Sequence, residues 1–218
     1  MQPQMRKSVV NPFSRRQIRR QEGRQELLNH MGRVMRLSHI IAMSMGWTSE
    51  DVLLLKLAAK WHDIGKDWRP WLFYSHVPFT TPEQWAAARD HPLHGAMMLL
   101  HCPEAYGVTQ KQAVPVAIEI ANHHQYHQDV DESCRIMASL MNLDDQIDVT
   151  LLAHGARIIK AVDYVVARTE RRHYAESLTL DDALTAMGHT VGTEFSPEVY
   201  AVLKQMRDVA SEYIARAS

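Results

Sequence analysis

The sequence has little that would suit export, a membrane or a disulfide framework. Its two cysteines, Cys102 and Cys134, make no CxxC or metal-knuckle spacing, and one isolated pair gives no disulfide scaffold, which favours a reducing, cytoplasmic setting. No run approaches the roughly 20 apolar residues that cross a bilayer, and the basic N-terminus is not followed by the apolar stretch of a secretion signal. There is no glycine-rich phosphate loop, and no serine lies in a nucleophile elbow. No β-branched segment alternates over strand length, so a sheet has no sequence support. Charge of one sign is also scarce, with a net charge of −1. A hydrophobic fraction of 46% and a charged fraction of 22% are those of an ordinary globular chain, so disorder is not the default.

Histidine, by contrast, is abundant: the 218 residues include 13, and imidazole is a favoured ligand for divalent transition metals. Charge is unevenly placed. Arg6, Lys7, Arg15, Arg16, Arg19, Arg20 and Arg24 face Glu22 alone in the first 24 residues. Residues 1–20 also lack periodic apolar positions, so they are expected to form a mobile basic arm or a fraying helix start. Such an arm could meet nucleic acid, an anionic surface or an acidic partner.

From residue 21 onward one domain is expected, all-α, with eight or nine helices in a bundle. Apolar residues recur at three- and four-residue steps over about Gln25–Met45, with Gly46 as a stop. Thr48 or Ser49 then caps a helix ending near His62-Asp63. Asp67–Thr81, with Pro70, Pro78 and large aromatics, reads as a loop able to wall a site. Helical patterning returns over about Pro82–Arg89, Pro92–Leu100, Thr109–Asn122, Ser133–Met141, Leu151–Arg172, Leu180–Met187 and Pro197–Ala215.

Several polar residues sit where these helices end. His62-Asp63 offers a nitrogen and a carboxylate to one neighbourhood, and Lys66, one turn on, can hold a phosphate oxygen. Glu26 and His30 share a helix face at i,i+4. His91-Pro92 opens a helix, His123-His124 closes one, and Asp163 interrupts an apolar run where a carboxylate needs a partner. Each also has an ordinary structural reading, as a cap, a solvated face or a paired core group. Trp61, Trp68 and Trp71 lie near the first motif and could stack on a nucleobase, or simply pack the loop.

Taken in order, the segments resemble the HD superfamily of metal-dependent phosphohydrolases, and most closely its HD-GYP branch of cyclic-dinucleotide phosphodiesterases. His62-Asp63-Ile64-Gly65-Lys66 is similar to HDxGK, and His91-Pro92-Leu93-His94-Gly95 to HPxxG. His123-His124 matches the double histidine, and Ala156–Asp163 is similar to the ARII-x-VAD segment. Ala167, Thr169, Arg172 and Tyr174 fall at the spacings of the pattern that follows, and Gly192–Glu198 resembles G-T-x-F-D-P-x. The resemblance implies two or three divalent ions, iron or manganese first, with magnesium, nickel or zinc as alternatives. Their ligands would be Glu26, His30, His62, Asp63, His91, His123, His124 and Asp163. Asp63 would bridge, a metal-bound hydroxide would attack phosphorus, and Lys66, Arg172 and Tyr174 would contact substrate.

The substrate so implied is a cyclic dinucleotide, cyclic di-GMP-like, or a related nucleotide; a homodimer or another protein partner is compatible. Two departures stand out. Gln125–Glu132 contains neither glycine nor proline where the branch has its GYP run, and Val166 replaces an acidic residue. They leave an alternative open, a catalytically silent module that binds a nucleotide or a protein partner.

Overall fold

The computed structural model describes residues 12–70, 79–143, 146–170 and 177–215. Among them are ten α-helices and no strand, only an isolated bridge between Val191 and Phe195. The helices are α1 (Pro12–Ser44), α2 (Ser49–Trp61), α3 (Pro82–Arg89), α4 (His91–His101), α5 (Gln110–Asn122), α6 (Val130–Leu140), α7 (Val149–Thr169), α8 (Leu180–Gly188), α9 (Pro197–Gln205) and α10 (Arg207–Ala215). Short 3-10 turns over Ile64–Trp68 and Pro103–Tyr106 complete the chain path.

Local chemistry explains the boundaries. Gly46, at φ 77°, ends α1 in a Schellman arrangement, with Trp47 N donating to Ala42 O and Gly46 N to Met43 O, both at 3.1 Å. A side chain there would be strained, because positive φ favours glycine. Thr48 then accepts from Asp51 N and starts α2, Thr81 and Gln84 form a capping box on α3, and Asp148 caps α7 through Leu151 N. These satisfy first-turn donors that a helix leaves open.

Helix α1 reaches back to Pro12, so of the two readings of the basic segment the helix start applies from residue 12; Arg and Gln favour a helix even without an apolar stripe. One expectation changes: the final helix is two, divided at Met206. Residues 1–11, most of the expected loop (71–78), and Arg172 and Tyr174 lie outside the described residues.

The main core joins α1, α2, α4, α5 and α7 through fully buried Val34, Leu37, Ile41, Leu55, Leu99, Ile120, Ile158 and Ile159. Helix α7 is covered on nearly every side, so its polar residues need partners. A second cluster, Ile118, Val130, Cys134, Ala138, Leu152, Ala153 and Ala156, seats α6 against α5 and α7.

Beside the second cluster lies Glu119, 1% exposed, whose Oε2 has no hydrogen-bond partner among the described residues. Gly155 packs directly opposite it: a Cβ there would fall 2.5 Å from Glu119 Oε1, so the carboxyl would have to shift. Burial, with a smaller contribution from Asp51, pushes the Glu119 carboxyl well above the ordinary range. A folded-state pKa above the unfolded value means that folding favours the protonated acid. Its stabilisation is complete below about pH 4.3 and is lost as pH rises through the higher folded value. Glu119→Gln keeps the neutral shape at all pH. It should therefore raise Tm at pH 8 by about 2–4 °C, the shift given by ~1 kcal/mol in a domain of this size. At pH 4 the two proteins should melt together. Thermal melts at both pH values check this, and an equal gap at both would contradict it.

Candidate metal centre

Three helix ends point histidines at one place. His62 follows α2, His91 opens α4 directly behind α3, and His123 follows α5. Each ring donates Nδ1–H to the carbonyl three residues earlier: His62 to Ala59 O at 2.9 Å, His91 to Ala88 O at 2.5 Å and His123 to Ile120 O at 2.6 Å. The bond uses a carbonyl that the helix end leaves open and aims Nε2 inward, the nitrogen that carries the lone pair whenever the ring is neutral. All three rings are buried, and His124 lies against His123, with centroids 4.1 Å apart.

Asp63 occupies the centre of this group. Its Oδ1 is 2.8 Å from His91 Nε2, and its Oδ2 is 3.5 Å from His62 Nε2 and 3.8 Å from His30 Nε2. Lys66 Nζ pairs with the same Oδ2. Asp163, midway along α7, accepts from His30 Nε2 at 2.9 Å and lies 3.8 Å from His62 Nε2. The far side of His30 is also held: Nδ1 meets Glu170 at 3.0 Å, and Arg33 Nε donates to Glu170 at 2.6 Å.

The donors fall into two adjoining groups, Asp63, His91, His123 and His124 in one and His30, His62 and Asp163 in the other. Within each, the ligand atoms lie within 4.8 Å of one another. Glu26 joins neither group. It is exposed on α1, one turn before His30. Glu170 is the carboxylate that meets His30 instead, and the sequence reading missed it. The signal was available, since Glu170 is seven residues beyond Asp163 and so near the same helix face.

Charge balance tests whether a cation fits. Burial raises the pKa of Asp63, but Lys66 and His62 outweigh it and hold the carboxyl well below the usual range. Burial also raises Asp163, yet the hydrogen bond from His30 and the nearby His62 ring keep it well below that range. Burial lowers His62, whereas Asp63 and Asp163 push it up to about 10. The pocket between the two carboxylates therefore stabilises positive charge strongly. Burial, together with neighbouring His124, holds His123 well below its ordinary value. The ring is neutral, and its buried Nε2 has no hydrogen-bond partner among the described residues. Ionised carboxylates, a neutral inward imidazole and a mixed N/O donor set suit divalent first-row ions.

Lys160 steadies this centre from outside. Buried in α7, it donates from Nζ to His124 O at 3.2 Å and Gln125 O at 3.1 Å, with Glu194 at 3.7 Å and the Tyr126 ring at 4.7 Å. Those carbonyls close α5, where a cation complements the helix dipole. Lys160→Met should keep the packing but release the double-histidine turn. Removing such an outer support is expected to weaken metal affinity by about tenfold, measured by competition with a chromogenic chelator.

No curated protein matches the chain. A family model for the HD domain does match, over residues 27–168, roughly two-thirds of the chain. That span contains His30, both residues of the His62-Asp63 pair, His91, the double histidine and Asp163. On this match and the all-α architecture that carries it, the chain belongs to the HD-domain family.

Proposed function

We propose that the protein is a metal-dependent phosphodiesterase acting on a cyclic dinucleotide or a related nucleotide. The observation that carries this reading is the position of Asp63, whose two carboxylate oxygens face two adjoining donor groups while Lys66 pairs with one of them. In this reading Asp63, His91, His123 and His124 would hold one ion, and His30, His62 and Asp163 would hold a second. Two ions, iron or manganese, suit the donor set; Glu26 lies outside it. Bound divalent ions would supply Lewis acidity at the phosphoryl oxygens and make water a competent nucleophile near neutral pH.

The chain's own residues supply the rest. Lys66, part-exposed beside the buried Asp63, would meet a phosphate oxygen as a point charge. The Nδ1 bonds of His62, His91 and His123 keep their donor atoms aimed without reorganisation, and Glu170 does the same for His30. Arg172 and Tyr174, outside the described residues, would contact substrate as the family resemblance implies.

Purified protein kept reduced and loaded with Fe or Mn should hydrolyse at least one member of a panel of cyclic dinucleotides, linear dinucleotides and mononucleotides. Metal analysis of the same sample should find about two ions per chain. A metal-replete protein inert on the whole panel would sink the phosphodiesterase reading. Tight nucleotide binding without turnover would then favour a silent binding module, in keeping with the segment 125–132, which lacks the GYP run.

A further inference from the structure

Two rings beside the candidate centre have no part in holding metal. Trp68 ends the 3-10 turn that carries Lys66, and it is 57% exposed. Its indole lies almost parallel to the His94 imidazole, with centroids 5.4 Å apart and planes at 12°. His94 is three residues beyond His91 on α4, so the two share a face within one helical turn, roughly 5 Å. The pair therefore links the two arms of the site, the turn that bears Lys66 and the helix that bears His91.

The position is held firmly. Arg24 Nε on α1 bonds Asp67 Oδ2 at 3.1 Å, next to Trp68 in the chain, and Gly65 brings the backbone of the turn against His91 and Gly95. His94 Nδ1 has no hydrogen-bond partner among the described residues, so the ring is placed by stacking and not by a polar bond there. The imidazole overlaps the indole only in part, and more than half of Trp68 stays exposed. A rigid, open aromatic plane close to a phosphate-seeking lysine suits a flat, aromatic group attached to that phosphate through a sugar. A base-free phosphoester would have no use for it.

The geometry points to Trp68, backed by His94, as the stacking platform for the nucleobase of the substrate, so that the site selects nucleotides over base-free phosphoesters. This rests on the phosphohydrolase reading above.

Metal-loaded wild type, Trp68→Ala and Trp68→Phe should be compared on the nucleotide panel and on a base-free phosphodiester, the methyl ester of ribose 5-phosphate. Trp68→Ala should raise KM for nucleotides about tenfold or more, in line with the loss of one base-stacking contact, with kcat changed less than about threefold. The accompanying loss in kcat/KM on the base-free diester should be much smaller, and Trp68→Phe should restore most of the nucleotide affinity. As a readout independent of turnover, a non-hydrolysable nucleotide should quench tryptophan fluorescence in wild type and quench it far less in Trp68→Phe. Wild-type nucleotide KM in Trp68→Ala would overturn the platform and leave the hydrolase standing. Quenching lost in Trp68→Phe, from a protein that hydrolyses nothing, would uphold the platform and end the hydrolase reading. Neither binding nor turnover of any nucleotide would overturn both.

Discussion

Asp63→Ala should lower kcat for the proposed phosphodiester hydrolysis by at least about 10³-fold, a loss of about 4 kcal/mol in transition-state stabilisation. The size follows from the position of the side chain. One oxygen faces His91 and the other faces His62, His30 and Lys66, so a single truncation removes an anion from both donor groups. Remaining imidazoles cannot balance two divalent charges with Asp163 alone, and bound metal should fall with activity. Asp63→Asn separates charge from shape: it retains the bulk and one acceptor, yet should fail almost as completely. Turnover and metal content measured on the same preparations check both variants. More than a tenth of wild-type activity in Asp63→Ala would contradict the central role given to this carboxylate.

Gly65→Ala should be nearly as damaging, by a different route. A Cβ at this residue would lie 1.9 Å from His91 O and 2.6 Å from Gly95 N. Both obstacles are backbone, and Gly95 itself approaches Gly65 closely, so no side chain can swing aside. Relief requires the 3-10 turn and the start of α4 to move apart, carrying Lys66 away from His91. Overpacking of this kind is expected to cost about 3 kcal/mol, which lowers Tm on the order of 6–12 °C in a domain of this size. Thermal melts of the metal-free variant isolate the packing effect. Gly32→Ala is the control, since its nearest neighbour would be Arg36 Nη1 at an ordinary 3.6 Å, and its Tm should not fall.

Much of this was legible in the sequence because it is local. Apolar steps of three and four residues mark helices whichever neighbours they meet, and His62, His91 and His123 stand at helix ends that caps and breakers reveal. The exact start of α1 was not legible, because Phe13 and Ile18 alone make no apolar stripe in its first turns. The break at Met206 has no glycine or proline to announce it. Spacing reaches only as far as one helix: it sets Glu26 one turn before His30, whereas the donors that meet His30 come from beyond α2 and from α7. Lys160 was hidden for another reason. Its partners are main-chain carbonyls 35 and 36 residues away, and backbone atoms leave no trace in residue identity.

The order of the donors along the chain has a consequence for synthesis. Asp63, His91, His123 and His124 have all been made by residue 124, whereas His30 and His62 wait for Asp163, 133 residues after His30. At translation rates of roughly 5–20 residues per second, the interval between the two groups is on the order of 2–8 s. During that interval the nascent chain holds one group without the other, and it lacks the helix that carries both Asp163 and the lysine clasping the double-histidine turn. The second group is therefore a property of the finished chain, closed by α7 after every other donor has already emerged.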